Sequence, residues 1–90
     1  MPKYVIEREI KGIGDSSNDD FKKAAQTSCK VLREMGTDIQ WLHSYVAKNK
    51  LFCIYISPNE KRILEHAKKS GFPADKIFEI SRIVEPITSE

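Results

Sequence analysis

Two periodicities alternate along this chain in an order that few folds accept. Apolar and polar residues alternate singly from Lys3 to Ile10, then apolar residues recur at helical spacing through Phe21, Ala24, Ala25, Ser28, Val31, Leu32 and Met35. Strand patterns return over Ile39 to Val46 and, as a short apolar run, over Leu51 to Ile56, followed by helical spacing over Ile63, Leu64 and Ala67 and alternation again over Ile77 to Glu85. The order is strand, helix, strand, strand, helix, strand. It predicts an α+β domain of the ferredoxin-like βαββαβ kind, a four-stranded antiparallel sheet carrying two helices on one face.

Residues at the joints fit this reading. The stretch from Lys11 to Asn18 breaks the first strand, Asn18 or a neighbouring serine caps the first helix, and Gly36 follows its last turn. Ala47-Lys48-Asn49-Lys50 is short enough to close an antiparallel hairpin. Ser57-Pro58-Asn59-Glu60 reads as a capping box with Pro58 at the first helical position, Gly71 ends that helix, and Phe72 to Asp75 form a turn. The 90 residues suit one domain over 1–90 and leave too little chain for a second core.

Composition removes several function classes. A net charge of +2, with Lys and Arg interspersed among Asp and Glu, gives no electrostatic footprint for nucleic acid. No segment nears the roughly 20 apolar residues of a membrane span, and Met1 to Glu7 enters the first strand without a cleavable apolar stretch, so the expectation is a cytoplasmic protein with no membrane partner. Cys29 and Cys53 show neither C-x-x-C nor zinc-finger spacing and read as free, partly buried thiols. No Ser-His-Asp order or phosphate loop occurs, and Gly12-Ile13-Gly14 lacks the third glycine of a dinucleotide site.

Alternation assigns faces. Tyr4, Ile6, Arg8 and Ile10 are expected under the helices, with Phe78, Ile80, Arg82 and Val84 of the last strand. Trp41, His43 and Tyr45 share one side of their run. An even hairpin loop sets them beside Phe52, Ile54 and Ile56 on the helix side, and an odd loop reverses the assignment. The other face then carries Val5, Leu42, Val46, Leu51, Tyr55, Ile77 and Ile83 among Glu7, Glu9 and Glu79. That mixture is too apolar for bulk water and predicts a back-to-back homodimer, a dimeric α+β barrel.

Four groups of residues have chemical capacity. His43 with Glu65 and His66 offers imidazole and carboxylate donors suited to nickel, zinc or copper. The competing reading makes His43 a hydrogen-bonded buried residue and His66 a solvated one. Glu7 and Glu9, about 7 Å apart on one side of a strand, can flank a hydrated cation or form ion pairs. With an even loop they fall opposite His43, sharing an ion with it only across a dimer contact or at a sheet edge. Arg8 and Arg82, converging near Trp41 and Tyr45, favour a carboxylate or phosphate unless they snorkel or pair with acids. Cys53 has no base assigned beside it.

The opening Met1-Pro2-Lys3-Tyr4-Val5-Ile6-Glu7-Arg8-Glu9-Ile10, the block Arg33-Glu34-Met35-Gly36, the run Gln40-Trp41-Leu42-His43-Ser44-Tyr45-Val46, and the stretch from Glu65-His66-Ala67 to Gly71-Phe72-Pro73-Ala74 carry a further signal. Together they resemble a family of small bacterial proteins, mostly of unassigned function, part of which binds nickel in a dimeric ferredoxin-like fold. Glu85-Pro86 departs from an Asp-Pro pattern of that family. The resemblance implies a Ni2+ protein, with Zn2+ or Cu2+ as alternative ions, and Glu7, Glu9, His43, Glu65 and His66 as the matched positions able to ligate. The expected function is metal storage, sequestration or delivery rather than catalysis. The alternatives are a small dimeric α+β barrel enzyme, with His43 as acid or base and Arg8 or Arg82 holding an anionic small-molecule substrate, and a non-catalytic interaction module.

Overall fold

The computed structural model describes residues 1–89; Glu90 lies outside the described residues. Its strands are β1 (Lys3–Glu9), β2 (Gln40–Val46), β3 (Lys50–Ile56) and β4 (Lys76–Ile80), and its helices α1 (Asn18–Met35) and α2 (Glu60–Ser70). The sheet runs β2-β3-β1-β4 with every neighbouring pair antiparallel, which is the ferredoxin-like order expected from the sequence.

Local chemistry explains the boundaries. Ser17 caps α1: its hydroxyl accepts the Asp20 N–H at 3.1 Å while the Asp20 carboxylate accepts the Ser17 N–H at 3.3 Å. The cap of α2 is Asn59 rather than Ser57, its side-chain oxygen accepting the Arg62 N–H at 3.0 Å. Pro58 therefore lies outside the helix, and Ser57 is drawn into the interior, its N–H donating to the Pro2 carbonyl at 3.1 Å. Gly71, with φ at 79°, closes α2 by donating its N–H to Ala67 at 3.0 Å.

The last strand is shorter than the alternation predicts. It stops at Ile80 instead of reaching Glu85, because Ile80 pairs with Lys3 and the next partner along β1 is Pro2, which has no N–H to give. Residues 81–85 continue without strand pairing and lead into a short 3-10 turn, Pro86–Ser89.

The hairpin loop is even, as one of the two readings required. Ala47 donates its N–H to Lys50 at 2.8 Å, and pairs then run Val46 with Leu51, Tyr45 with Phe52, Ser44 with Cys53 and His43 with Ile54. The ladder next pairs Trp41 with Tyr55, so Leu42 is one residue too many. This bulge sends Trp41 to the face opposite His43 and Tyr45.

Face assignments follow from the ladder. Tyr4, Ile6 and Arg8 of β1 face the helices, as expected. Their partners on β3 are Tyr55, Cys53 and Leu51, not Phe52, Ile54 and Ile56, and on β4 Ile77 and Glu79 lie level with Ile6 and Tyr4. The core forms here, with Ile6 and Ile63 at 0% exposure against Val31, Met35, Ile39, Cys53 and Tyr55. The open face carries Val5, Phe52, Ile54, Ile56, Phe78 and Ile80. The face expectation is thus inverted for β3 and β4 and divided within β2.

Candidate functional site

The open face brings together residues that alternation had separated. His43 stands at an edge of the sheet, exposed, with Nε2 3.0 Å from the Tyr45 hydroxyl and the two rings edge-to-face at 5.0 Å. Crossing the sheet from there, one row runs His43, Ile54, Val5, Phe78 and the next Tyr45, Phe52, Glu7, Lys76. Glu7 and Glu9 consequently share the face of His43, contrary to the expectation for an even loop. The inversion of β3 relative to β1 is the reason. Lys50 bridges the two carboxylates, its Nζ 3.3 Å from Glu7 and 3.6 Å from Glu9.

His66 and Glu65 belong to the other side of the sheet. His66 is neither solvated nor near His43: it has 0% exposure, its Nε2 lies 3.2 Å from the Ser28 hydroxyl, and its ring tilts against Tyr55 at 5.2 Å. Its Nδ1 has no partner among the described residues. Burial pushes this imidazole below its ordinary pKa, a hydrogen bond with Ser28 opposes it to a lesser degree, and the Arg8 charge adds a still smaller push in the same direction as burial. Glu65 is held by Lys69 at 3.3 Å and Arg62 at 3.0 Å, and these two cations keep its carboxyl below the usual range. Arg62 also grips Asp38 at 2.8 Å and donates to the Met35 carbonyl, tying α2 to the end of α1. The proposed grouping of His43 with Glu65 and His66 therefore fails, because the sheet stands between them. Among the described residues no three His, Cys, Asp or Glu side chains converge.

Between α1 and the sheet lies a cavity of about 310 Å³. Arg8, Trp41, Cys53 and Tyr55 line it from the strands, and Ala24 and Ala25 from the helix, where their short side chains leave the space unfilled. Arg8 is 1% exposed, donates Nη1 to the Pro73 carbonyl, and stacks 5.7 Å from the Phe72 ring. Its Nη2 has no partner among the described residues. Burial raises the Tyr55 phenol above its ordinary pKa, so the hydroxyl keeps its proton.

Two sequence expectations end at this cavity. His43 is on the far face and cannot serve as acid or base inside it. Arg82 follows β4, at the opposite sheet edge from β2, and is exposed, so it does not converge with Arg8 near Trp41 and Tyr45. No periodicity in the sequence marks Tyr55 and Ser28 as neighbours of Arg8. The signal for the site was Arg8 itself, a charge at a core-facing position between Ile6 and Ile10.

The described helices include none long and apolar enough to cross a membrane. A family model described as nickel responsive protein SCO4226-like matches residues 4–80. No curated protein matches the chain. The crystal structure of SCO4226 from Streptomyces coelicolor A3(2) superposes with a TM-score of 0.76 at 15% identity, over 91% of this chain and 99% of that one. At that identity the likeness bears on the fold alone.

Proposed function

The chain belongs to the SCO4226-like family of nickel responsive proteins, and from that premise we propose that it binds a divalent transition metal, nickel first, as cargo to be stored, sequestered or delivered. The observation that carries the reading is His43, an exposed imidazole on an apolar sheet face with Glu7 and Glu9 on the same side. Imidazole and carboxylate together suit nickel, and zinc or copper as competitors, with copper favoured by intrinsic affinity.

One chain supplies only part of a coordination shell. A second copy laid against the open face buries Phe52, Ile54 and Phe78 and brings a second His43 into play, so the complete site belongs to a homodimer of the α+β barrel kind. Glu7 and Glu9 exchange Lys50 for the ion when it arrives. His66 and Glu65, on the far side of the sheet, take no part. Donors held at a surface rather than in a closed cage favour exchange, which suits a carrier more than a catalyst. Two cysteines without a disulfide fit a reducing, cytoplasmic setting.

Calorimetric titration of chelator-stripped, tag-free protein with nickel, zinc and copper tests the reading, run beside His43→Ala with the mass in solution measured in parallel. Saturable nickel binding that disappears in a still-folded variant, from a particle of two chains, is expected. Binding that survives His43→Ala, or no binding of any ion, overturns it.

A further inference from the structure

We infer that the cavity between α1 and the sheet is a binding site for a small organic monocarboxylate with an apolar body, its carboxylate held by Arg8. This goes beyond the metal reading and does not rest on it, since His43 lies on the other face of the sheet.

A guanidinium inside an apolar interior is costly unless an anion neutralises it. Arg8 has 1% exposure and no carboxylate within ion-pair distance among the described residues. Pro73 and Phe72 occupy one nitrogen and one face of the group, which fixes its position, while Nη2 remains unpartnered in the cavity wall. A positioned cation with a spare donor in the wall of an apolar pocket is a receptor for a negative charge.

The remaining wall selects the class of anion. Its polar members besides Arg8 are the hydroxyls of Ser28, Ser44 and Tyr55, and two of these are already engaged: Ser44 accepts from Trp41 at 3.0 Å and Ser28 lies 3.2 Å from His66. One guanidinium nitrogen and the Tyr55 hydroxyl suffice for two carboxylate oxygens and fall short of the donors a phosphate dianion demands. The rest of the lining is hydrocarbon and aromatic, including Phe21, Leu51 and Trp41. A volume of about 310 Å³ is at the small end of ligand pockets, which suits a short aliphatic or single-ring acid.

Trp41 lines the cavity and is the only tryptophan, so its emission reports occupancy directly. The probes are butyrate, hexanoate and phenylacetate, with phenylacetamide as the uncharged counterpart and phenylphosphonate as the competing anion. At least one monocarboxylate is expected to saturate at millimolar concentration or below, with phenylacetamide weaker than phenylacetate by about tenfold or more. Arg8→Met is expected to erase the preference for the acid over the amide. Should that variant fail to fold by circular dichroism, Ala25→Leu fills the cavity from the helix side and is expected to abolish binding with Arg8 in place. The inference is overturned if no monocarboxylate saturates, if phenylacetamide or phenylphosphonate binds as well as phenylacetate, if folded Arg8→Met keeps the preference for the acid, or if binding survives in folded Ala25→Leu.

Discussion

Trp41 and Ser44 stand three residues apart on β2, yet their side chains meet on one face of the sheet, Trp41 Nε1 donating to the Ser44 hydroxyl at 3.0 Å. In a regular strand such residues point to opposite faces. The bulge at Leu42 brings them together, and it also sends His43 outward while Trp41 turns in. A single extra residue thus puts the indole and the imidazole on opposite sides of the sheet.

Deleting Leu42 leaves Trp41 opposite Tyr55 and His43 opposite Ile54 as consecutive pairs of a regular ladder, Trp41 still inward and His43 still outward. Urea unfolding is expected to give a stability within about 1 kcal/mol of the parent, with the tryptophan emission unshifted. A red shift of the emission would show that Trp41 leaves the core once the extra residue is gone.

His66 links the core to pH. Its folded pKa is lowered, so the unfolded chain takes up the proton first as pH falls below its ordinary value of about 6.5. Stability from this residue is full above that value and declines from there down to the folded pKa. Asp38, held low by Arg62, and Glu65, held low by Lys69 and Arg62, add a separate loss at more acid pH, as their carboxylates protonate. His66→Gln is expected to remove the first decline and keep the second when unfolding free energy is followed against pH. Two identical profiles would contradict the assignment.

Gly14 marks a close approach between backbones. Its N–H donates to the Lys48 carbonyl at 3.0 Å, and a Cβ there would lie 2.9 Å from the Ala47 carbonyl oxygen and 3.0 Å from the Lys48 Cα. Both obstacles are main-chain atoms of the hairpin turn and cannot rotate away. Gly14→Ala is expected to lower stability by about 1–3 kcal/mol, the usual cost of overpacking, with the urea m-value unchanged. A midpoint at or above that of the parent would mean the turn shifts freely.

The element order was legible because each segment has one dominant period, and because Gly36 and Gly71 punctuate the helices. The parity of the hairpin stayed open between an even and an odd loop until the Ala47–Lys50 closure and the pairing of Val46 with Leu51 decided it. Which face is the core was not legible. Leu51 to Ile56 is apolar at every position, so β3 reads equally well either way up, and Val5, Phe78 and Ile80 give the open face the appearance of an interior. The bulge carried no warning, since Leu42 is neither glycine nor polar. Arg8 was visible as an anomaly at a core position, but its companions Ser28 and Tyr55 come from elements whose orientation the pattern left undecided. One reading made His66 a solvated residue, and its packing against Ser28 of α1 and Tyr55 of β3 takes it out of water.

The central place of β1 has a kinetic consequence. Its partners are β3 on one side and β4 on the other, both far along the chain, whereas β2 and β3 pair through a tight turn. The hairpin and the helices can form from local contacts, but the strand that joins the two halves must wait for a long loop to close at each edge. Such non-local pairing slows folding, and until it happens the apolar residues of β3 have an unpaired neighbour on one side. A nascent chain therefore releases its central strand first and docks it late, which makes that interval the one in which this protein is most exposed to misassembly.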